Sequence, residues 1–139
     1  MKRSRAQYII AVIGLGWFAL TLYLLPWESI ACNYDVVNEV ISPDGQMKVV
    51  TFVRKPWLET DFSTQASLIR VGEGVPRDLG NIFQAWPTGH PDLGLHGELK
   101  LGVNWESNRD LIVTYDNSAG VGFAVCNYDR IRIQYKQQQ

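Results

Sequence analysis

The longest stretch without a strand or helix pattern, residues 87–98 (PTGHPDLGLHGE), holds both histidines of the chain. His90 and His96 stand there with Asp92 and Glu98, side-chain types that bind zinc or move protons near neutral pH. No cysteine and no third histidine joins them, and the spacing fits no standard zinc arrangement, so no metal or other cofactor is expected. Long irregular loops carry a disproportionate share of partner contacts. His90, Asp92, His96 and Glu98 therefore mark a candidate partner-binding loop. Nucleophilic catalysis finds less support. There is no Gly-x-Ser-x-Gly elbow, and neither cysteine sits in a reactive motif. Glu59 and Asp61 flank Thr60 as solvated carboxylates do. Gly72 with Gly74, and Gly120 with Gly122, precede no helix and so form no phosphate loop. No catalytic residue is assigned, and a non-enzymatic protein is expected.

The two cysteines carry a second signal. Cys32-Asn33-Tyr34-Asp35 and Cys126-Asn127-Tyr128-Asp129 repeat the same four residues. In an oxidising compartment Cys32 and Cys126 form a candidate disulfide. It would close a loop of about 95 residues, for which chain entropy gives roughly 4–5 kcal/mol. Two unpaired thiols remain an alternative. So does lipid acylation of Cys32 after cleavage behind Ser29-Ile30-Ala31.

These residues need elements to hold them, and the first is apolar. Residues 8–25 (YIIAVIGLGWFALTLYLL) contain no charge. As a helix they span about 27 Å, close to the roughly 30 Å hydrocarbon core of a bilayer. Only a helix satisfies its own backbone hydrogen bonds there. Tyr8, Tyr23 and Trp27 lie near the ends, as in an interfacial belt, and Pro26 stops the helix. Lys2, Arg3 and Arg5 precede the span, whereas the next basic residue after it is Lys48. The positive-inside rule then places residues 1–7 in the cytoplasm, residues 26–31 as a linker, and the rest outside. A cleaved signal peptide is the competing reading, but its apolar region is usually shorter and ends in a small-x-small site.

The chain has 139 residues and a net charge of −1. From Cys32 onward ten basic residues face thirteen acidic ones, leaving that part near −3. Such a balance argues against a nucleic-acid partner. The expected partners are the lipid bilayer and an envelope protein of unknown identity.

Residues 32–136 read as one mainly β domain, an antiparallel sandwich or bent sheet, with 137–139 as a tail. Residues 32–42 and 46–54 form a hairpin about Ser42-Pro43-Asp44-Gly45, where proline presets φ and glycine supplies the left-handed position. Met47, Val49, Thr51 and Val53 take one face; Lys48, Val50, Phe52 and Arg54 take the other. Further strands are expected at 63–71, 81–86, 99–105, 110–116, 121–126 and 131–135. Residues 106–109 turn a second hairpin. Ile131, Ile133 and Tyr135 alternate with Arg132 and Gln134, the mark of a half-exposed strand. Ser42-Pro43-Asp44-Gly45 and the strand after it resemble a TolB-type propeller blade, with residues 105–115 as a degenerate copy. Two such units cannot close a propeller.

Several blocks, in order, resemble a family of small bacterial membrane-anchored β proteins without an assigned activity. They are Ser42-Pro43-Asp44-Gly45, then Asp61-Phe62-Ser63-Thr64-Gln65 with Ser67-Leu68-Ile69, Gly80-Asn81-Ile82-Phe83, Val103-Asn104-Trp105 and Leu111-Ile112. Such proteins often carry Cys-Gly-Ala-Thr-Thr just before the second block; residues 56–60 (PWLET) stand there instead. The resemblance implies the architecture and a bacterial inner-membrane location, but no mechanism. The expected function is a binding or protective envelope protein. An immunity protein against a membrane- or periplasm-acting toxin and an envelope-modifying enzyme are the alternatives.

Overall fold

The computed structural model describes residues 5–24, 32–56, 62–89 and 91–138. The chain divides into two units, one holding a single helix and the other, Ala31–Gln139, the β domain.

Helix α1 (Arg5–Leu24) is apolar on every side. Tyr8, Ile10, Val12, Leu15, Trp17 and Leu24 are all exposed. A helix with no polar face needs an apolar surround, and Gln7–Leu24 is long and apolar enough to cross a membrane. A signal sequence passes the same test of length and composition. Leu25, given above as the last residue of the span, and the linker 26–31 lie outside the described residues.

The β domain contains β1 (Cys32–Ile41), β2 (Met47–Pro56), β3 (Ser63–Arg70), β4 (Phe83–Pro87), β5 (Leu101–Trp105), β6 (Asp110–Asp116), β7 (Ala119–Ala124), β8 (Asn127–Tyr128) and β9 (Ile131–Gln138). They form a five-stranded sheet, β1-β2-β3-β4-β7, and a four-stranded sheet, β5-β6-β9-β8. Two expectations need correction. β9 pairs with β6 in parallel, so the second sheet is mixed rather than antiparallel. β9 also continues to Gln138, with Gln137 opposite Tyr115, so most of the expected tail is strand.

The sheets meet through one core. Val49, Ala66, Leu68, Phe83 and Ala85 from the larger sheet pack with Leu111, Val113, Ile131 and Ile133 from the smaller. Alternation explains the choice. Leu111, Val113 and Tyr115 share a face with Ile131, Ile133 and Tyr135, while Arg132 and Gln134 stay exposed. Tyr135 stacks on Phe83 at 5.6 Å, and its hydroxyl donates toward the carbonyls of Ile82 and Val125 at 2.7 and 3.0 Å.

The larger sheet is buried on its second face as well. Val50, Phe52 and Ile69 form a smaller cluster there with Tyr34 and Val75. The segment between β3 and β4 covers it through a set of polar fastenings. The Gln65 side chain accepts from Gly80 N at 2.6 Å and donates to Ser63 Oγ at 2.8 Å. The Asn81 amide imitates a strand residue: its oxygen accepts from Leu68 N at 2.7 Å, and its nitrogen donates to Leu68 O at 2.9 Å. A side chain at Gly80 would lie 2.7 Å from the Ala66 carbonyl oxygen, so only glycine fits.

Both edges of this sheet are irregular. β1 shifts register between Val36 and Asn38, and the β4–β7 ladder shifts between Gln84 and Ala85. Bulges of this kind blunt an edge against unwanted strand addition.

Candidate functional site

Four turns meet at one end of the β domain, the end opposite Cys32. β1 makes the polarity plain: Cys32 pairs with Pro56 at one extreme and Ile41 with Lys48 at the other, about 30 Å away. The first turn is Ser42 to Gln46. Gly45 N donates to Ser42 O at 2.9 Å, Gly45 adopts φ 71°, and Asp44 Oδ1 accepts from Ser42 Oγ at 2.6 Å and from Gln46 N at 3.1 Å. It delivers Met47 opposite Arg70, the last residue of β3. Beyond Arg70 the chain turns back, and the Glu73 carboxylate accepts from the Arg70 backbone N–H at 3.0 Å.

The third turn joins β5 to β6. Ser107 Oγ donates to Asp110 Oδ2 at 2.7 Å and accepts from Arg109 N at 3.1 Å. This holds Asn108 and Arg109 at the tip. The Arg109 carbonyl is fastened to β9 by Arg132 N at 2.7 Å. The fourth turn joins β8 to β9. Tyr128 pairs with Ile131, leaving Asp129 and Arg130 as a two-residue loop. Both are left-handed, with φ of 45° and 66°. Two-residue hairpin loops of this hand favour Asn-Gly or Asp-Gly, since a Cβ is strained there. Arginine at the second position is a costly choice, and such strain is concentrated where function retains it.

Together the turns enclose an open cleft of about 380 Å³. Met47 and the buried Ile131 line it together with Arg70, Arg109 and Arg130, with Asn108 and Asp129 alongside. All three arginines are exposed. Among the described residues, the ion pairs are Lys48–Glu39, Lys55–Asp35, Lys100–Asp92 and Arg132–Asp110, and none engages a cleft arginine. Apart from Asp129 in the lining itself, the nearby carboxylates are committed elsewhere: Glu73 to the Arg70 backbone, and Asp110 to Ser107 and Arg132. The cleft is thus a positively charged recess in a domain of net negative charge.

The loop singled out above is arranged differently. His90 lies outside the described residues. Glu98 accepts from His96 N at 2.7 Å, and its carbonyl accepts from Gly94 N at 2.8 Å, so its polar groups close the turn. Asp92 is paired with Lys100. Lys100 is held above its ordinary value by that carboxylate. No group of three or more His, Cys, Asp or Glu is suitably gathered for a metal among the described residues. The loop tip instead presents Leu95, 95 % exposed.

The two cysteines belong to different strand ends of the β domain. Cys32 opens β1, an edge strand of the larger sheet, and Cys126 follows β7, where its carbonyl accepts from Ile133 N of β9 at 2.8 Å. Cys126 is exposed and free; the side chain of Cys32 lies outside the described residues.

The cleft arginines went unmarked in the sequence because they are far apart in it and belong to no motif. One signal was present. Asp129-Arg130 stands between Tyr128 and an alternating strand, the position of a two-residue hairpin loop, yet supplies neither glycine nor asparagine. Conversely, the motif blocks at 63–69 and 80–83 are consumed by the Gln65–Gly80 and Leu68–Asn81 fastenings. The chain matches no protein-family profile, no curated protein and no solved structure, so the site is read from its own residues.

Proposed function

We propose that the chain is a membrane-tethered, non-enzymatic binding protein of the bacterial envelope. α1 holds it in the inner membrane with residues 1–7 in the cytoplasm, and the β domain recognises an envelope protein on the outer side. Three basic residues ahead of the span and none after it before Lys48 support this orientation. The observation that carries the binding role is the cleft. Three arginines without an ion-pair partner among the described residues line one recess, one of them on a strained turn. Exposed arginines carried on ordered turns are groups for seizing an anion, and arginines are favoured anchors at interfaces.

Two measurements in intact cells test the reading. A membrane-impermeant maleimide should label Cys126 without permeabilisation; labelling only after lysis would place the domain inside and refute the orientation. A photo-crosslinking residue in place of Asn108 should give a discrete protein adduct, while the same residue in place of Lys136, exposed on β9, should give none. Adducts from both positions, or from neither, would refute the cleft as the binding site.

A further inference from the structure

The Arg70–Arg109–Arg130 cleft also has a charge and composition that specify its ligand. We infer that it receives a phosphomonoester dianion, an inference that rests on the binding role just proposed and names the group the partner presents. Three guanidiniums and the Asp129 carboxylate leave the lining at +2. A phosphomonoester carries about −1.5 to −2 near neutral pH, and it matches that charge where a carboxylate or a phosphodiester brings a single negative charge. Guanidinium groups bind phosphoryl oxygens through paired N–H donors, and the Asn108 side chain adds an amide donor. No residue lining the cleft is aromatic, so a nucleobase would find no ring to stack on. The phosphoryl group itself is the recognised element.

The turns fix the backbone from which the arginines project. Arg109 rides on a tip fixed by Ser107 and by the bond from Arg132 N. Arg130 is held in a left-handed position that a glycine would occupy with less strain. Substituting glycine there removes the guanidinium and relieves the backbone at once. Binding and stability should therefore move in opposite directions, which a purely structural residue would not produce.

The test uses the full chain in non-ionic detergent micelles, with phenyl phosphate as the probe and arginine Nε–Hε NMR signals as the readout. Phenyl phosphate should bind at pH 7.5 and weaken as pH falls through about 6, where its second ionisation is lost. Sulfate, a dianion throughout that range, should bind without this pH dependence; acetate and diethyl phosphate should bind far more weakly. Arg109→Gln and Arg130→Gly should each reduce phenyl phosphate affinity by roughly tenfold. Arg130→Gly should also raise the melting temperature, and Arg77→Gln, outside the cleft, should change neither. Absence of phenyl phosphate binding, equal binding of acetate, or full affinity in both cleft variants would overturn the inference. A protein adduct at position 108 without phenyl phosphate binding would overturn this inference alone. Arginine-dependent binding without an adduct would overturn the proposed partner role and leave the ligand class standing.

Discussion

Arg130 is the residue at which backbone cost and side-chain use conflict most openly. A left-handed L-residue costs roughly 1–2 kcal/mol, and Arg130 sits at φ 66°. Arg130→Gly is expected to stabilise the domain by about 1 kcal/mol, seen as a rise of a few degrees in melting temperature by circular dichroism. An unchanged or lower melting temperature would mean that the arginine side chain supports the turn. Tyr135 shows the opposite case, a residue whose polar tip serves the core. Its ring packs on Phe83 and its hydroxyl reaches two carbonyls at the seam between the sheets. Tyr135→Phe keeps the packing and removes the donor, so it should cost about 1 kcal/mol in a denaturant titration. A loss several times larger would show that the hydroxyl also fixes the ring. Tyr135 was legible as an inward residue from alternation alone, because period two determines the face. Arg130 was not, because no periodicity reports the sign of φ.

Among elements, the strands were readable wherever one face is apolar and the other polar, as in β6 and β9. Partners were harder. Alternation tells β9 which face to bury but not which neighbour to choose, and nothing in Ile131–Gln138 announces a parallel ladder with β6. The cover over Val50 and Phe52 was missed for a related reason. Residues 72–80 fall between two expected strands, and the role of the segment depends on Gln65 and Asn81 amides reaching across the fold. The 94–98 turn belongs to this scale too. Glu98 closes it through His96 N, so Glu98→Ala should leave the global unfolding free energy within about 1 kcal/mol of wild type while speeding hydrogen exchange at the His96 amide. Unaltered exchange would mean that the backbone bond from Gly94 N to Glu98 O holds the turn unaided.

For the whole molecule, acidity is the expected weak point. Asp35 lies below its ordinary value of 3.8 because of its hydrogen bond to Lys55, Asp44 because of Ser42, and Asp116 because of Ser118. Carboxyls with lowered folded values contribute stability that is present above the ordinary value and lost as pH falls through the folded one. Burial raises Tyr135 above its ordinary value of 10.0, so its contribution is full below that value and fades as pH climbs beyond it. The melting temperature should therefore be level between about pH 5 and 9 and decline on both sides. A decline beginning near pH 6.5 would instead implicate a histidine. The placement of β9 between β6 and β8 bears on something else, the order of events during synthesis. Ile131 and Ile133 complete the core that Val49 and Leu68 begin, so early strands emerge long before their last packing partners exist. Non-local closure of this kind is slow. On the orientation proposed above, a core completed only by residues 131–138 would close after most of the domain had crossed the bilayer.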